Sequence, residues 1–287
     1  SVESNSGDLS LEVIVVDNAS SDDSVAMVEQ EFPQVRLIAS RENLGYTGGN
    51  NLGAGEAQGR YLLILNPDTE IVGDALQQMV AYLDENPQVA VVGPQLLYPD
   101  GSIQPSRRRF PRLAMAFIDD SVPFGRRWFP NSKLEQAFLM ADSPDDEIQS
   151  VDWLVGAALM IRRDVWQKVG SLDDRFFMYF EELDWCKRCK NMGYEVHYLP
   201  QAQVIHHHGA ASGQIPARKR IYLNRSKIIY FRKYFGVVWA GLIRLFLLMN
   251  FGWVMVVELA KWAIDHRCET RLQRARAYWQ VLRSGLR

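Results

Sequence analysis

Leu11-Glu-Val-Ile-Val-Val-Asp17, a β-branched run closed by the turn formers Asn18, Ser20, Ser21 and Asp22, decides the fold. Ser24 to Glu31 then reads as a helix stopped before Pro33, and Val35 to Ala39 repeats the strand signal. Beyond it, Asn43-Leu-Gly-Tyr-Thr-Gly-Gly-Asn-Asn-Leu-Gly53 leads into a helix, and Tyr61-Leu-Leu-Ile-Leu65 is a third apolar run before Asn66-Pro67-Asp68. Asp74 to Glu85 reads as a helix and Val89 to Val92 as a strand. Short apolar strands alternating with helices predict an α/β domain, a mostly parallel sheet with helices on both faces that binds ligands at the carboxyl ends of its strands. Asp17 and Asp68 sit at such ends.

From Tyr98 to Ser150 the chain is rich in Pro, Arg and Asp with weak periodicity, and reads as irregular loops. Order returns with a strand at Trp153 to Ile161, a short helix at Asp164 to Val169 and an amphipathic helix from Glu181 to Met192. Two further strands follow, Glu195 to Leu199 and Gln203 to Ile205. With 287 residues, 47% hydrophobic and 23% charged, the chain can bury a large core, which excludes a disordered protein. Its net charge of -2 hides an asymmetry: residues 218–287 carry 15 of the 32 Lys and Arg but 3 of the 34 Asp and Glu, a net +12 against -14 elsewhere. Cys186, Cys189 and Cys268 are too few and too badly spaced for a disulfide framework or a zinc site, and a reduced, cytoplasmic setting fits them. No secretory signal is expected from the opening residues, and no internal repeat is read along the sequence.

The candidate chemistry is carried by oxygen and nitrogen ligands at strand ends. Asp17, before Asn-Ala-Ser-Ser, can accept hydrogen bonds from a base or ribose, or can simply form an Asx turn. Gly45, Gly48 and Gly49 allow close backbone approach to a ligand, but the spacing fits neither a dinucleotide fingerprint nor a P-loop. Asp68 offers an oxygen to a divalent ion bridging a diphosphate; a plain Asn-Pro-Asp turn is the competing reading. Glu181, Glu182 and Asp184 fall in the first turn of a helix behind Phe176-Phe177-Met178-Tyr179-Phe180. The helix dipole favours them there, and an apolar surround raises a carboxylate toward the range of a general base. His206-His207-His208-Gly209 closes a strand, with His206 and His208 on one side, where one can bind metal.

Asp17-Asn-Ala-Ser-Ser, Asn43-Leu-Gly-x-x-x-Gly-x-Asn, Asn66-Pro-Asp, Gly156-Ala, Phe177-x-x-x-Glu-Glu-x-Asp and His206-His-His-Gly, in this order, resemble family 2 glycosyltransferases of the GT-A fold, especially the bacterial rhamnosyltransferase-like branch. The resemblance runs from about Leu11 to about Tyr234 and implies roles. Asp17 would contact the nucleotide base of a nucleotide diphosphate sugar donor. Asn43, Gly45, Asn50, Asn66, Gly156 and Glu181 would line the substrate site. Asp68 and His206 would hold a divalent metal, Mg or Mn. Glu182, standing where the family has Asp, would be the base that takes the proton of an acceptor hydroxyl, with Asp184 in support or in its place. The implied reaction is an inverting transfer, with rhamnose a candidate sugar, to a glycan or lipid-linked acceptor in cell-surface polysaccharide synthesis. Competing classes are a nucleotidyltransferase, which would normally carry a Gly-rich segment with a basic residue near its first strand, and a non-catalytic binding protein of the same fold. No nucleic-acid partner is expected.

Two expectations concern the ends. Residues 1–217 form the GT-A-like domain and 218–287 a basic, apolar helical tail, in which Arg218, Lys219, Arg220, Arg225, Lys227, Arg232 and Lys233 precede the apolar stretch Val237 to Val257. Arg244 and Asn250 interrupt that stretch, which favours an interfacial or hairpin helix at the inner face of the cell membrane over a plain span. At the other end, only ten residues precede Leu11, so the family's first strand and most of its first helix are expected to be missing.

Overall fold

The computed structural model describes residues 1–118, 133–207, 216–264 and 268–287. By its contacts the chain divides into two units, Ser1–Phe110 with Asp142–His208, and Pro111–Ala141 with Gly209–Arg287. Segment 111–141, which the sequence reading placed within 1–217, thus groups with the C-terminal helices.

The first unit opens with β1 (Ile14–Asp17), α1 (Ser24–Glu31), β2 (Arg36–Ala39), α2 (Gly45–Glu56), β3 (Tyr61–Leu65), β4 (Thr69–Val72), α3 (Ala75–Glu85) and β5 (Val89–Leu97). β6 (Ile103–Gln104) and β7 (Arg107–Arg108) follow; after the excursion come β8 (Gln149–Val151), β9 (Trp153–Leu154) and β10 (Ala158–Arg162). In the second unit lie α4 (Met115–Ile118) and α5 (Lys133–Leu139); α6 (Arg163–Val169), α7 (Glu181–Asn191) and β11 (Glu195–His206) complete the first.

The main sheet has the order β3-β10-β5-β11-β4, with β6 on β5 and β8 on β11. It is mixed, which corrects the mostly parallel sheet expected. β10 runs antiparallel to both β3 and β5, and β11 runs parallel to β5 but antiparallel to β4. The physical reason is connectivity. A parallel neighbour needs a crossover unit, whereas β10 returns from the long 98–150 excursion and is free to enter in the opposite sense. Eight consecutive residues of β5 are buried, as both faces of the sheet are covered. Helix α3 supplies one cover through Leu76, Met79 and Leu83 against Val89, Val92 and Val204. β1 and β2 form a separate parallel pair, Ile14 opposite Arg36 to Asp17 opposite Ala39. Residues 1–10 make a short 3-10 turn at Glu3–Asn5; Ser1 and Asn5 hydrogen bond to the backbone of Ile71 in β4.

Three local departures have identifiable causes. The two strands expected at 195–199 and 203–205 are one strand whose register shifts between Leu199 and Gln203, around Pro200, which lacks a ladder donor. The single strand expected at 153–161 is broken between β9 and β10 around Gly156. Helix α2 begins at Gly45, inside the Gly-rich segment, although glycine disfavours helix. Its glycines permit close approach: a Cβ on Gly49 would stand 2.9 Å from Asn18 Nδ2. Cys186 and Cys189 are free and buried, and burial pushes the Cys189 thiol up to about 12, as befits small hydrophobes without thiolate chemistry.

The second unit gathers α8 (Pro216–Phe235), α9 (Val237–Ile264) and α10 (Cys268–Ser284) with α4 and α5. α9 buries one stripe, Ala240, Ile243, Leu247, Phe251, Val254 and Glu258, at the three- and four-residue spacing of a helix face. Phe117 of α4 meets Phe246 edge-on with ring centroids 5.0 Å apart.

Candidate active site

Helix α7 is entered through two consecutive non-glycine residues in the left-handed region, Tyr179 and Phe180, both at φ 70°. Such a conformation costs about 1–3 kcal/mol per residue and persists only where its surroundings enforce it. Its consequence is that the first two helical residues, Glu181 and Glu182, turn into the protein. Glu181 is buried, and burial together with the neighbouring Glu182 charge holds its carboxyl well above the usual carboxylate range. Glu182 is half-buried; burial raises it too, but opposing hydrogen bonds from Glu181 and from backbone N–H groups, including those of Gly156 and Leu183, favour its ionised form. Of the two carboxyls Glu181 is held the higher, and its hydrogen bond to Glu182 favours the ionised form there, which leaves Glu182 the better base. Oε2 of each is buried without a hydrogen-bond partner among the described residues.

Around this pair the chain closes from two sides. The Tyr46 hydroxyl, on the first turn of α2, donates to the Gly156 carbonyl at 2.5 Å. Burial and then the charges of Glu181 and Glu182 raise the Tyr46 phenol well above its ordinary value, so it stays protonated. A Cβ on Gly156 would lie 3.1 Å from the Tyr46 hydroxyl and 3.6 Å from Glu182 Oε1, so a side chain here would crowd both groups. Behind Glu182 is a cavity of about 10 Å³ walled by Ile64, Leu159, Leu172 and Trp185, the apolar surround that raises the carboxyl.

Asp184, expected beside Glu182, lies elsewhere. Two residues further along a helix turn the side chain by about 200°. Asp184 is fully buried and accepts from Arg188 Nε at 2.9 Å, while the same guanidinium donates to the carbonyls of Val169 and Ser171. It ties α7 to the end of α6.

The Asn66-Pro67-Asp68 turn is connected to the pair through the backbone: Asn66 N–H donates to the Ala157 carbonyl at 2.9 Å, and Thr69 Oγ1 to the Asn66 carbonyl at 2.6 Å. Asp68 Oδ1 stands 3.3 Å from His206 Nε2, bringing together two residues far apart in sequence. His206 Nδ1 is 2.8 Å from Gln104 Oε1 on β6. A neutral imidazole with its proton on Nδ1 donates to that acceptor and turns the Nε2 lone pair to the carboxylate, a donor set suited to a cation. Among the described residues no three His, Cys, Asp or Glu converge to hold a metal. His207 turns away to Glu70 at 2.6 Å, and His208 lies outside the described residues.

On the β1 side, Asp17 Oδ2 accepts from Ser20 N–H at 3.1 Å in an Asx turn. Asn43 Oδ1 accepts from Gly45 N–H at 2.9 Å, and Asn50 Nδ2 donates to the Tyr46 carbonyl at 2.8 Å. Gly45 has φ +72°, and a Cβ there would strike the Phe177 carbonyl. Asn18 joins β1 to the start of α2, donating to the Gly45 carbonyl at 2.9 Å and accepting from Leu44 N–H. In the sequence Asn18 reads only as a turn former, and Tyr46 and Gln104 carry no assigned role. Tyr46 is an aromatic residue alone among glycines within an already marked segment, a signal available in the sequence; Gln104 carries none.

The model for glycosyl transferase family 2 matches residues 1–146. The N-acetylglucosaminyl-diphospho-decaprenol L-rhamnosyltransferase of Mycobacterium tuberculosis (strain ATCC 25618 / H37Rv) is 30% identical over 229 residues, 76% of this chain and 73% of that protein. Rhamnosyltransferase WbbL of Escherichia coli (strain K12) is 25% identical over 184 residues, 58% of this chain and 65% of that one. In shape, a mannosyltransferase of Pyrobaculum calidifontis, solved with GDP-Man and Mn2+, matches with a TM-score of 0.51 at 14% identity, over 96% of this chain and 78% of that chain, a likeness of fold alone. By its family match and these relatives, the chain belongs to glycosyltransferase family 2, has its GT-A fold and is similar to its rhamnosyltransferases.

Proposed function

We propose that this protein is an inverting transferase that moves a sugar, with rhamnose the first candidate, from a nucleotide diphosphate onto a hydroxyl of a lipid-linked acceptor in polysaccharide synthesis. The observation that carries the reading is the Glu181–Glu182 pair turned into the protein beside Gly156 and Tyr46, with Glu182 against an apolar wall that suits a base. Glu182 takes the proton from the acceptor hydroxyl as its oxygen bonds to the anomeric carbon. The bond from that carbon to the diphosphate oxygen breaks, and the nucleoside diphosphate leaves with the electron pair. Attack from the face opposite the leaving group inverts the anomeric centre. A single base suffices because the diphosphate is a good leaving group, unlike the two-carboxylate case of hydrolysis.

Asp68 and His206 would hold Mg or Mn, which when bound supplies positive charge to the departing diphosphate. Asp17 and the start of α2, braced by Asn18, Asn43 and Asn50, are assigned to the nucleotide. Asp184 is a positioning residue that fixes α7. The acceptor assignment draws on the Mycobacterium tuberculosis relative, whose name specifies an N-acetylglucosaminyl-diphospho-decaprenol acceptor. The reading includes a location at the cytoplasmic face of the cell membrane, which a lipid-linked acceptor would suit. The test is transfer from a panel of nucleotide sugars to a short-chain polyprenyl diphosphate N-acetylglucosamine, with product anomeric configuration read by NMR. Retained configuration, or no transfer from any donor with added Mg or Mn, would defeat the reading.

A further inference from the structure

Helix α9 is apolar on two opposite faces, and among the described residues only one of them is covered. Opposite its buried stripe runs a second, Val238, Leu242, Leu245, Met249, Trp253 and Val256, again at three- and four-residue spacing. Leu245 is 56% exposed, Met249 66% and Trp253 60%. A helix this apolar is ordinarily enclosed, and an uncovered stripe along several turns marks a surface that meets something apolar.

Length alone would let α9 cross a bilayer: 28 residues make about 42 Å of helix, more than a hydrocarbon core requires. Its packing argues otherwise. Near one end Glu258 pairs with Arg271 of α10 at 3.2 Å; near the other Arg244 Nε donates to the Gly285 carbonyl at 2.7 Å, with Phe251 against Tyr278 between them. α10 is thus strapped antiparallel along α9, and it carries Arg274, Arg276 and Arg283 to solvent. A spanning α9 would drag those arginines through hydrocarbon, where each is strongly disfavoured. Laid in the membrane plane, the same arrangement sinks the open stripe among acyl chains and leaves the arginines in water or headgroups. Charge points to the same occupant: the net +12 of residues 218–287 fits an anionic lipid surface, and Trp239 and Trp253, both exposed, suit the headgroup boundary.

We infer that the Val238–Val256 face of α9 is an in-plane docking surface for an anionic lipid membrane and that the helix does not cross it. This deepens the proposed membrane-side function, on which it rests. The test floats the purified full chain with phosphatidylcholine vesicles and with vesicles containing phosphatidylglycerol, at low and high salt. Binding should require the anionic lipid, weaken with salt, and be reversed by alkaline carbonate. Leu245→Glu with Met249→Glu should weaken it at least about tenfold. Gln273→Glu with Gln280→Glu, an equal charge change on the polar helix, should weaken it far less. Circular dichroism and donor hydrolysis should be unchanged in both. Wild-type binding by the Leu245/Met249 double variant would overturn the inference, as would retention after carbonate. So would a lipid-free dimer that the same variant dissolves while the wild type ignores vesicles, since a second copy would then be the cover. Vesicle binding as expected, with no transfer from any donor, would support the docking surface and sink the enzymatic reading instead.

Discussion

Helix α7 carries carboxylates on opposite faces and gives them opposite fates. Asp184 is fully buried yet matched by Arg188, whose guanidinium also donates to the carbonyls of Val169 and Ser171, so its charge is compensated where it stands. Glu182 faces Glu181, the Gly156 backbone, the Tyr46 phenol and an apolar wall, and no cation is among the causes that set its basicity. The contrast teaches that these acidic residues are distinguished by their partners. A compensated carboxylate organises structure, and one lacking a cationic partner retains the basicity to take a proton.

The sharpest way to break that comparison is to neutralise each carboxylate in turn. Glu182→Gln keeps the volume and removes the base, so kcat should fall by about two to four orders of magnitude while donor affinity survives. Asp184→Asn should do the reverse: unfolding free energy should drop by about 1–3 kcal/mol in urea titrations as the Arg188 pairing weakens, with kcat changed severalfold. If Asp184→Asn shows the large kinetic loss and Glu182→Gln does not, the roles are exchanged.

A third carboxylate extends the contrast. Asp68 faces His206, neither a fixed cation nor a second acid. Asp68→Ala should reduce the affinity for donor in the presence of Mn by about ten- to a hundredfold and leave metal-free donor binding unaltered. Isothermal titration with and without metal reads the difference; equal affinities in both variants under both conditions would remove Asp68 from metal binding.

How much of this was legible in the sequence follows from what each signal encodes. The apolar runs at Tyr61–Leu65 and 89–92 announced strands, because composition reports burial directly; the continuation of the second to Leu97, through Gly93, Pro94 and Gln95, was not announced. Strand direction is not written there, so the antiparallel entry of β10 was missed. β4 was missed because four residues with only Ile71 buried leave no periodic pattern. The start of α2 was hidden because glycine speaks against a helix until its close approach to Asn18 is known. For the site, the Glu181–Glu182 pair and the Asp68–His206 pair were named from motif order. Tyr46 to Gly156 is a contact across 110 residues, which local pattern does not reach. Asp184 and Glu182 look alike in sequence; only Arg188, bonded also to the carbonyls before α7, separates them.

The smallest expected effect concerns the proton that Glu181 holds. Its carboxyl is raised in the folded protein, first by burial and then by Glu182, so the folded state binds this proton more tightly than the unfolded chain does. Its contribution to stability is therefore greatest at acid pH and is lost as pH rises from the unfolded value of about 4.5 toward the raised one. Glu181→Gln removes that loss, so its melting temperature should gain on the wild type as pH rises from about 5 to 8, with little difference at about pH 4. The same residue donates to Glu182 and so holds the base's proton affinity down against burial. Glu181→Leu abolishes that donor and should move the acid limb of the kcat profile to higher pH, whereas Glu181→Gln, whose amide can still donate, should leave it near the wild-type position. A purely structural Glu181 would lower activity in both variants without moving the limb in either.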